Sequence, residues 1–255
     1  MLSFLSISRL RRVAAGGVAL ALLAGASPAS AELIQLRSGI DADSNSRDDN
    51  VTLLKGPIDG PFGATFSPAD FTAASTGEAA WLVSVLNANW KTSLDSDPAA
   101  KWIGIGFVNP ANGWDETTAG IHGFTALYAI DFTITQTEFA NVFLDFDYLV
   151  DDGLGEGGES PLNPAGLYVN GTALAGSTDV TAGNSANDQS FPAFDITSLV
   201  SVGSNTLYIY DNDFGGGAAG LNFSARVSVV DEPAAVGALG LALLALGVWR
   251  RRRRG

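Results

Sequence analysis

The chain contains no cysteine and only one histidine, His122. It can therefore form neither disulfides nor the thiolate sites that hold zinc or iron–sulfur clusters, and a multi-histidine metal site is excluded. Positive charge is also scarce, because residues 32–230 hold six Lys and Arg against 25 Asp and Glu. Such an acidic body repels phosphate, which argues against nucleic acid as a partner.

The first 31 residues are organised like a secretory signal peptide. A basic stretch ends at Arg12 and is followed by a 13-residue apolar run at 13–25. Ala29 and Ala31 then place small residues at the −3 and −1 positions of a cleavage site. The pattern predicts that signal peptidase cleaves after Ala31, so that the exported protein starts at Glu32. An N-terminal membrane anchor is the alternative, but the apolar run is short for a membrane span.

The last 25 residues, 231–255, carry a second three-part signal. Asp231, Glu232 and Pro233 precede an uncharged run of sixteen residues at 234–249, and five arginines follow at 250–254. As a transmembrane helix the run would extend about 24 Å, close to a bilayer core of about 30 Å when the arginines reach back to the interface. The arginine cluster is expected to stay in the cytoplasm, which leaves residues 32–230 outside.

This layout resembles the PEP-CTERM sorting signal of Gram-negative bacteria that make exopolysaccharide. In that family an exosortase-type membrane protease removes the tail. Glu232 and Pro233 match its Pro-Glu-Pro motif, whereas Asp231 stands where the first proline is expected. The resemblance implies transient anchoring in the inner membrane, processing near Pro233, and delivery to the cell surface or the extracellular space. An ordinary C-terminal anchor is the alternative.

Residues 32–230 have the patterning of an all-β domain. Leu144, Phe146 and Tyr148 alternate with Asp145 and Asp147, as expected for a strand with one buried face. No helical period longer than about two turns occurs, although Ser67 and Pro68 suggest one short helix. These features predict an antiparallel β-sandwich. The strands are expected at 33–36, 81–86, 127–134, 142–150, 166–169, 206–210 and 221–229.

Two segments, LYVNGTAL at 167–174 and FDITSLVSVGSNTLYIYDND at 194–213, resemble the galactose-binding-like jelly roll. That fold occurs in the sugar-binding domain of glycoside hydrolase family 2 and in many carbohydrate-binding modules. Asn170 and Gly171 suit a tight turn with positive φ, and Asp195 suits a cap for the turn at 196–199. The resemblance is strongest over 80–230. Residues 32–79 contain a plausible first strand at 33–36 and are assigned to the same domain, which then spans 32–230.

The acidic loop at 41–49 is the candidate metal site. Asp41, Asp43, Asn45 and Asp49 place oxygen ligands at alternating positions, which suits Ca²⁺. Galactose-binding-like domains often hold a structural Ca²⁺ near their first strands. A solvated acidic loop without an ion is the alternative. Two further acidic stretches, at 151–159 and 211–213, are interpreted as turns, with Ca²⁺ binding as the alternative for each.

Two tryptophans in polar surroundings, Trp90 and Trp114, are the candidate ligand-binding residues, because sugar-binding sandwiches stack pyranose rings on exposed aromatic side chains. The pair Asp145 and Asp147 could serve glycoside hydrolysis, but a wet sheet face is the favoured interpretation. His122 lacks the sequence context of a catalytic triad. We therefore predict no catalytic residues and no enzymatic activity.

Together these features predict an exported, non-catalytic surface or matrix protein that binds extracellular polysaccharide through a jelly-roll module. A structural or adhesive surface protein without a sugar site is the alternative. An exported glycan hydrolase is a third, less favoured possibility.

Overall fold

The computed structural model describes residues 31–58, 60–83, 90–105, 124–156, 162–181, 185–213 and 219–231. It forms two compact units, of which Glu32–Thr137 together with Asn141–Val229 contains the sheet. In the other unit the described residues are Ala31, 138–140, 230 and 231, and the amide of Ala140 donates a hydrogen bond to the carbonyl of Val230 at 2.8 Å.

The described residues are mostly antiparallel β-structure, which confirms the predicted fold class at that level. The strands are β1 Ala31–Arg37, β2 Arg47–Ile58, β3 Glu78–Leu82, β4 Ile103–Gly104, β5 Phe124–Ile134, β6 Asn141–Asp151, β7 Gly153–Leu154, β8 Leu167–Val169, β9 Thr172–Ala173, β10 Gln189–Asp195, β11 Gly203–Asn212 and β12 Gly220–Val230. In the described ranges an α-helix, α1, spans Pro68–Ser75, and a 3-10 turn spans Thr197–Leu199.

The strands form one curled sheet in the order β10-β6-β12-β4-β3-β2-β5-β11-β8-β9, with β1 paired to β12 and β7 to β11. Curling brings one face of the sheet inward, as in sandwich and jelly-roll folds. The neighbours β6 and β12 therefore have one face in the core and one face outward, and the outward face carries the pocket described below.

The alternation predicted for β6 is confirmed. Leu144, Phe146 and Tyr148 are buried, whereas Asp145 and Asp147 are half-buried on the other face. In β12 the same period buries Phe223, whose ring stacks on Phe146 with centroids 5.7 Å apart. Because the period is two, every second residue of both strands faces outward.

Local signals for turns and caps are also confirmed. Asn170 and Gly171 have φ of 50° and 80° in the turn between β8 and β9. The carboxylate of Asp195 accepts hydrogen bonds from the amide and the hydroxyl of Thr197, the first residue of the 3-10 turn, whose N-cap residue is Ile196. The helix α1 begins directly after Ser67. Each feature depends on neighbours in sequence, which is why the residue types alone predicted it.

Neither β2 nor β10 was predicted, and β2 is the longer of the two. Residues 47–58 form β2, which pairs with β3 and β5 near the middle of the sheet order. Its start is polar, but Asp48 is buried and accepts hydrogen bonds from the amides of Gly39, Asn50 and Val51. These three hydrogen bonds compensate the burial of the Asp48 carboxylate. The polar composition of this segment had suggested a loop.

The two predicted targeting segments lie largely outside the described residues. This holds for residues 1–30 and for 232–255, which include Glu232 and Pro233. Ala31 is the first residue of β1. Within the described ranges no helix has the length and apolar character needed to cross a membrane.

Candidate functional site

A polar pocket lies on the outward face of β1, β6 and β12. Its volume is about 120 Å³, similar to a cavity of about 150 Å³ that accommodates one benzene ring. Its size therefore suits one small ring. The lining comes from the three strands and from the segment that precedes β4: Gln35, Arg37, Ser96, Asp97, Asp145, Asp147, Ser224 and Arg226.

One wall of the pocket is held by Asp97, which is only 8% exposed. Its carboxylate accepts hydrogen bonds from the hydroxyl of Ser224 at 2.9 Å and from the amide of Ala99 at 3.2 Å, and it pairs with Nε of Arg37 at 3.0 Å. The amide group of Gln35 donates to the Ser224 hydroxyl at 2.7 Å. These bonds fix the side chains before any ligand arrives.

On the opposite side of the pocket, three charged side chains have no partner among the described residues. Among the described residues, Asp145, Asp147 and Arg226 make no side-chain hydrogen bond and no ion pair. The two aspartates lie two apart on one strand and therefore project from the same face, about 7 Å from each other. Two carboxylate acceptors and one guanidinium donor are thus available to a ligand beside a rigid wall.

The pocket exists because a distant segment packs beside the sheet. Leu94, Ala100 and Trp102 are buried together with Leu149, and this cluster anchors the chain on either side of Ser96 and Asp97. The sequence placed Asp145 and Asp147 correctly on the outward face. It did not indicate that this segment turns the wet face into a concave site.

Trp90 is a core residue and not the exposed ligand platform that we predicted. It is 4% exposed and stacks on Trp102 with ring centroids 4.2 Å apart. Its indole also makes a side-chain hydrogen bond with Asp151. The ring therefore has no open face for a pyranose. The other candidate, Trp114, lies outside the described residues.

In the acidic loop at 41–49, the predicted calcium site, the carboxylate oxygens accept hydrogen bonds from other residues of the same loop. Asp41 accepts hydrogen bonds from the amides of Asn45 and Ser46, Asp43 accepts from Asn45, and Asp49 accepts from Ala42. Within the described ranges no three acidic or histidine side chains are spaced to hold a metal ion. The observed bonds are those of an acidic turn, the alternative considered above.

A second group of acidic side chains surrounds Asp211, near the end of β11. Pairing of β11 with β7 sets Asp211 opposite Leu154, and this places it near Asp151 and Asp152. Asp211 has no exposed surface, and neither of its carboxylate oxygens has a hydrogen-bond partner in the described part of the chain. Burial, aided by Asp152, Asp213 and Asp151, raises the pKa of Asp211 well above its usual value.

The consequence is that Asp211 favours the protonated, neutral form. It is a buried strand residue and not the turn residue that the sequence suggested. The buried Tyr128 hydroxyl lies near it, and burial together with Asp211 raises the pKa of Tyr128 as well. This acidic group is closed to solvent at Asp211, so the open pocket is the better candidate for ligand binding.

Comparison with known proteins adds no functional assignment. No protein-family model matches the chain, and no curated protein does. Among solved structures, dimeric latent PorU from Porphyromonas gingivalis matches over 79% of this chain and 22% of that chain, with 12% sequence identity and a TM-score of 0.29. The chain therefore spans only about a fifth of that structure's length, and at this similarity the match carries no argument.

Proposed function

We propose that this protein is an exported, non-catalytic surface or matrix protein that binds carbohydrate in the pocket on β1, β6 and β12. The observation that carries the proposal is the set of unpaired side chains, Asp145, Asp147 and Arg226, beside a wall already fixed by hydrogen bonds. Carboxylates accept and guanidinium donates, so together they match a ligand rich in hydroxyl groups.

None of the described residues that line the pocket is aromatic. A sugar bound there gains hydrogen bonds but no stacking on these residues, and a pocket of about 120 Å³ takes one edge of a single residue of a longer chain. We expect weak binding of each unit, in about the millimolar range, that becomes useful through repetition along a polysaccharide.

The contacts of Glu32, the predicted first residue of the exported protein, support export with cleavage after Ala31. Glu32 is the second residue of β1, which begins at Ala31. The Glu32 carboxylate accepts hydrogen bonds from the amides of Thr135 and Gln136 at 3.1 and 3.0 Å. Cleavage there leaves this anchored residue in place.

The PEP-CTERM resemblance supports the extracellular location of the pocket. Signal peptidase and an exosortase-type protease are the proposed processing partners, with transient attachment to the inner membrane between the two cleavages. Intact-mass measurement on the released protein should give a chain that starts at Glu32 and ends near Pro233. A full-length product held in the membrane would support an ordinary anchor.

Glycan-array binding tests the carbohydrate proposal. We expect binding by the wild type and its loss in the double variant Asp147→Asn/Arg226→Gln, which preserves net charge. The control, Asp43→Asn/Lys101→Gln, makes the same exchange outside the pocket and should bind like the wild type. If no glycan binds the wild type, the protein is a structural or adhesive surface protein. If both double variants bind like the wild type, the pocket is not the sugar site.

A further inference from the structure

We propose that the pocket selects a sugar that carries a free amine, with its ammonium group between Asp145 and Asp147 and its hydroxyl groups toward Arg226 and Ser96. The inference rests on the proposed function, because it names the ligand class of the same pocket. It follows from the charge that remains unpaired there.

The pocket has an excess of negative charge once its internal pair is removed. Arg37 and Asp97 neutralise each other at 3.0 Å. Among the described lining residues, two carboxylates, Asp145 and Asp147, then face the guanidinium of Arg226 alone. The neighbouring strand β10, Gln189–Asp195, contains neither Lys nor Arg, so it supplies no compensating cation from that side.

The spacing of the two carboxylates suits one ammonium group. The Cα atoms of residues i and i+2 on a strand lie about 7 Å apart. Rotation of the two aspartate side chains can bring their carboxylates closer together than that. An ammonium has three donors and can bond both, which makes each hydrogen bond charge-assisted. A neutral hydroxyl in the same place leaves two half-buried carboxylates without a counter-charge.

The charge of the whole domain acts in the same direction. Residues 32–230 carry six bases and 25 acids, so a cationic polysaccharide is attracted from a distance and a uronic-acid polymer is repelled. Long-range attraction alone does not select a site. The experiment must therefore separate binding in the pocket from general attraction.

Calorimetric titration of the full-length protein can do so with two matched probes, the trimer of glucosamine and the trimer of N-acetylglucosamine. The titrations are run at pH 6 in 150 mM salt with chelator, so that no divalent cation bridges protein and sugar. We expect the amine trimer to bind at least about 10-fold more tightly. Its affinity should fall as the pH rises through the pKa of its amine.

Variants then locate the interaction. Asp145→Asn and Asp147→Asn should each weaken binding of the amine trimer about 10-fold, whereas Asp43→Asn, an equal charge change outside the pocket, should not. The comparison of the two trimers on the wild type needs no variant, so the inference stays testable even if a variant folds poorly.

The possible failures are distinguishable. Equal binding of both trimers, lost in Asp147→Asn/Arg226→Gln, overturns the amine inference and leaves the proposed function standing. Equal loss in Asp43→Asn and Asp147→Asn shows general charge attraction and overturns the inference. If neither trimer binds and the glycan array is also blank, the proposed function and the inference both fail.

Discussion

Replacement of Asp211 by asparagine should flatten the pH dependence of stability and make the protein more stable at neutral pH. Asp211 has no exposed surface, its oxygens have no hydrogen-bond partner among the described residues, and Asp151, Asp152 and Asp213 are near. A charge there is disfavoured by lost hydration and by repulsion between like charges. Asparagine has nearly the same size and stays neutral at every pH.

The sign and size follow from proton linkage. An unfolded aspartate has a pKa of about 3.9, and burial raises the pKa of Asp211 in the folded state well above its usual value. Between the two values the folded protein holds one proton more than the unfolded chain. The free energy of unfolding therefore falls by about 1.4 kcal/mol for each pH unit in that window. The stabilisation is complete below the unfolded pKa and is lost as the pH rises through the folded pKa.

Urea unfolding of both proteins from pH 4 to pH 8, with chelator present, measures this slope. Near pH 4 the two should have similar stability, because a protonated carboxyl and an amide are both neutral polar groups. Above pH 4 the difference in the free energy of unfolding between the variant and the wild type should grow with each pH unit, in favour of the variant. Asp195→Asn is the control with the opposite sign, since hydrogen bonds from the hydroxyl and amide of Thr197 lower the pKa of exposed Asp195. Parallel stability curves for Asp211→Asn and the wild type would refute the reasoning.

Three further predictions concern the core, the pocket wall and the acidic loop. Trp90→Ala should lower the free energy of unfolding by about 3–5 kcal/mol in urea titration, since the ring is stacked in the core. An unchanged urea midpoint would show that the Trp90 ring is not buried. Asp97→Ala should cost about 2–3 kcal/mol in the same assay and weaken glycan binding, because Arg37 and Ser224 lose their shared acceptor; full stability would show that the wall is not held by this carboxylate. Asp41→Ala should cost about 1 kcal/mol with or without chelator, because two amides lose their acceptor. A chelator-sensitive melting temperature in the wild type alone would instead establish the calcium site.

Local pattern by itself determined the fold class and several of its details. The alternation in β6 predicted that Phe146 faces the core and that Asp145 and Asp147 face outward, because successive side chains of a strand point to opposite faces. Asn170 and Gly171 predicted a turn with positive φ, and Asp195 predicted a cap. In each case the cause lies within a few residues of the effect.

Tertiary structure decided the burial of charged and aromatic side chains, and with it the candidate site. The hydrogen bond from Gln35 to Ser224 joins residues 189 positions apart, and the Ser224 bond to Asp97 spans 127. Trp90 and Asp211 lie in polar stretches of sequence yet are buried, because strands and segments distant in the chain cover them. Hydration, counter-charge and a concave surface all depend on what packs beside a residue, and for this pocket the packing partners come from the segment that precedes β4.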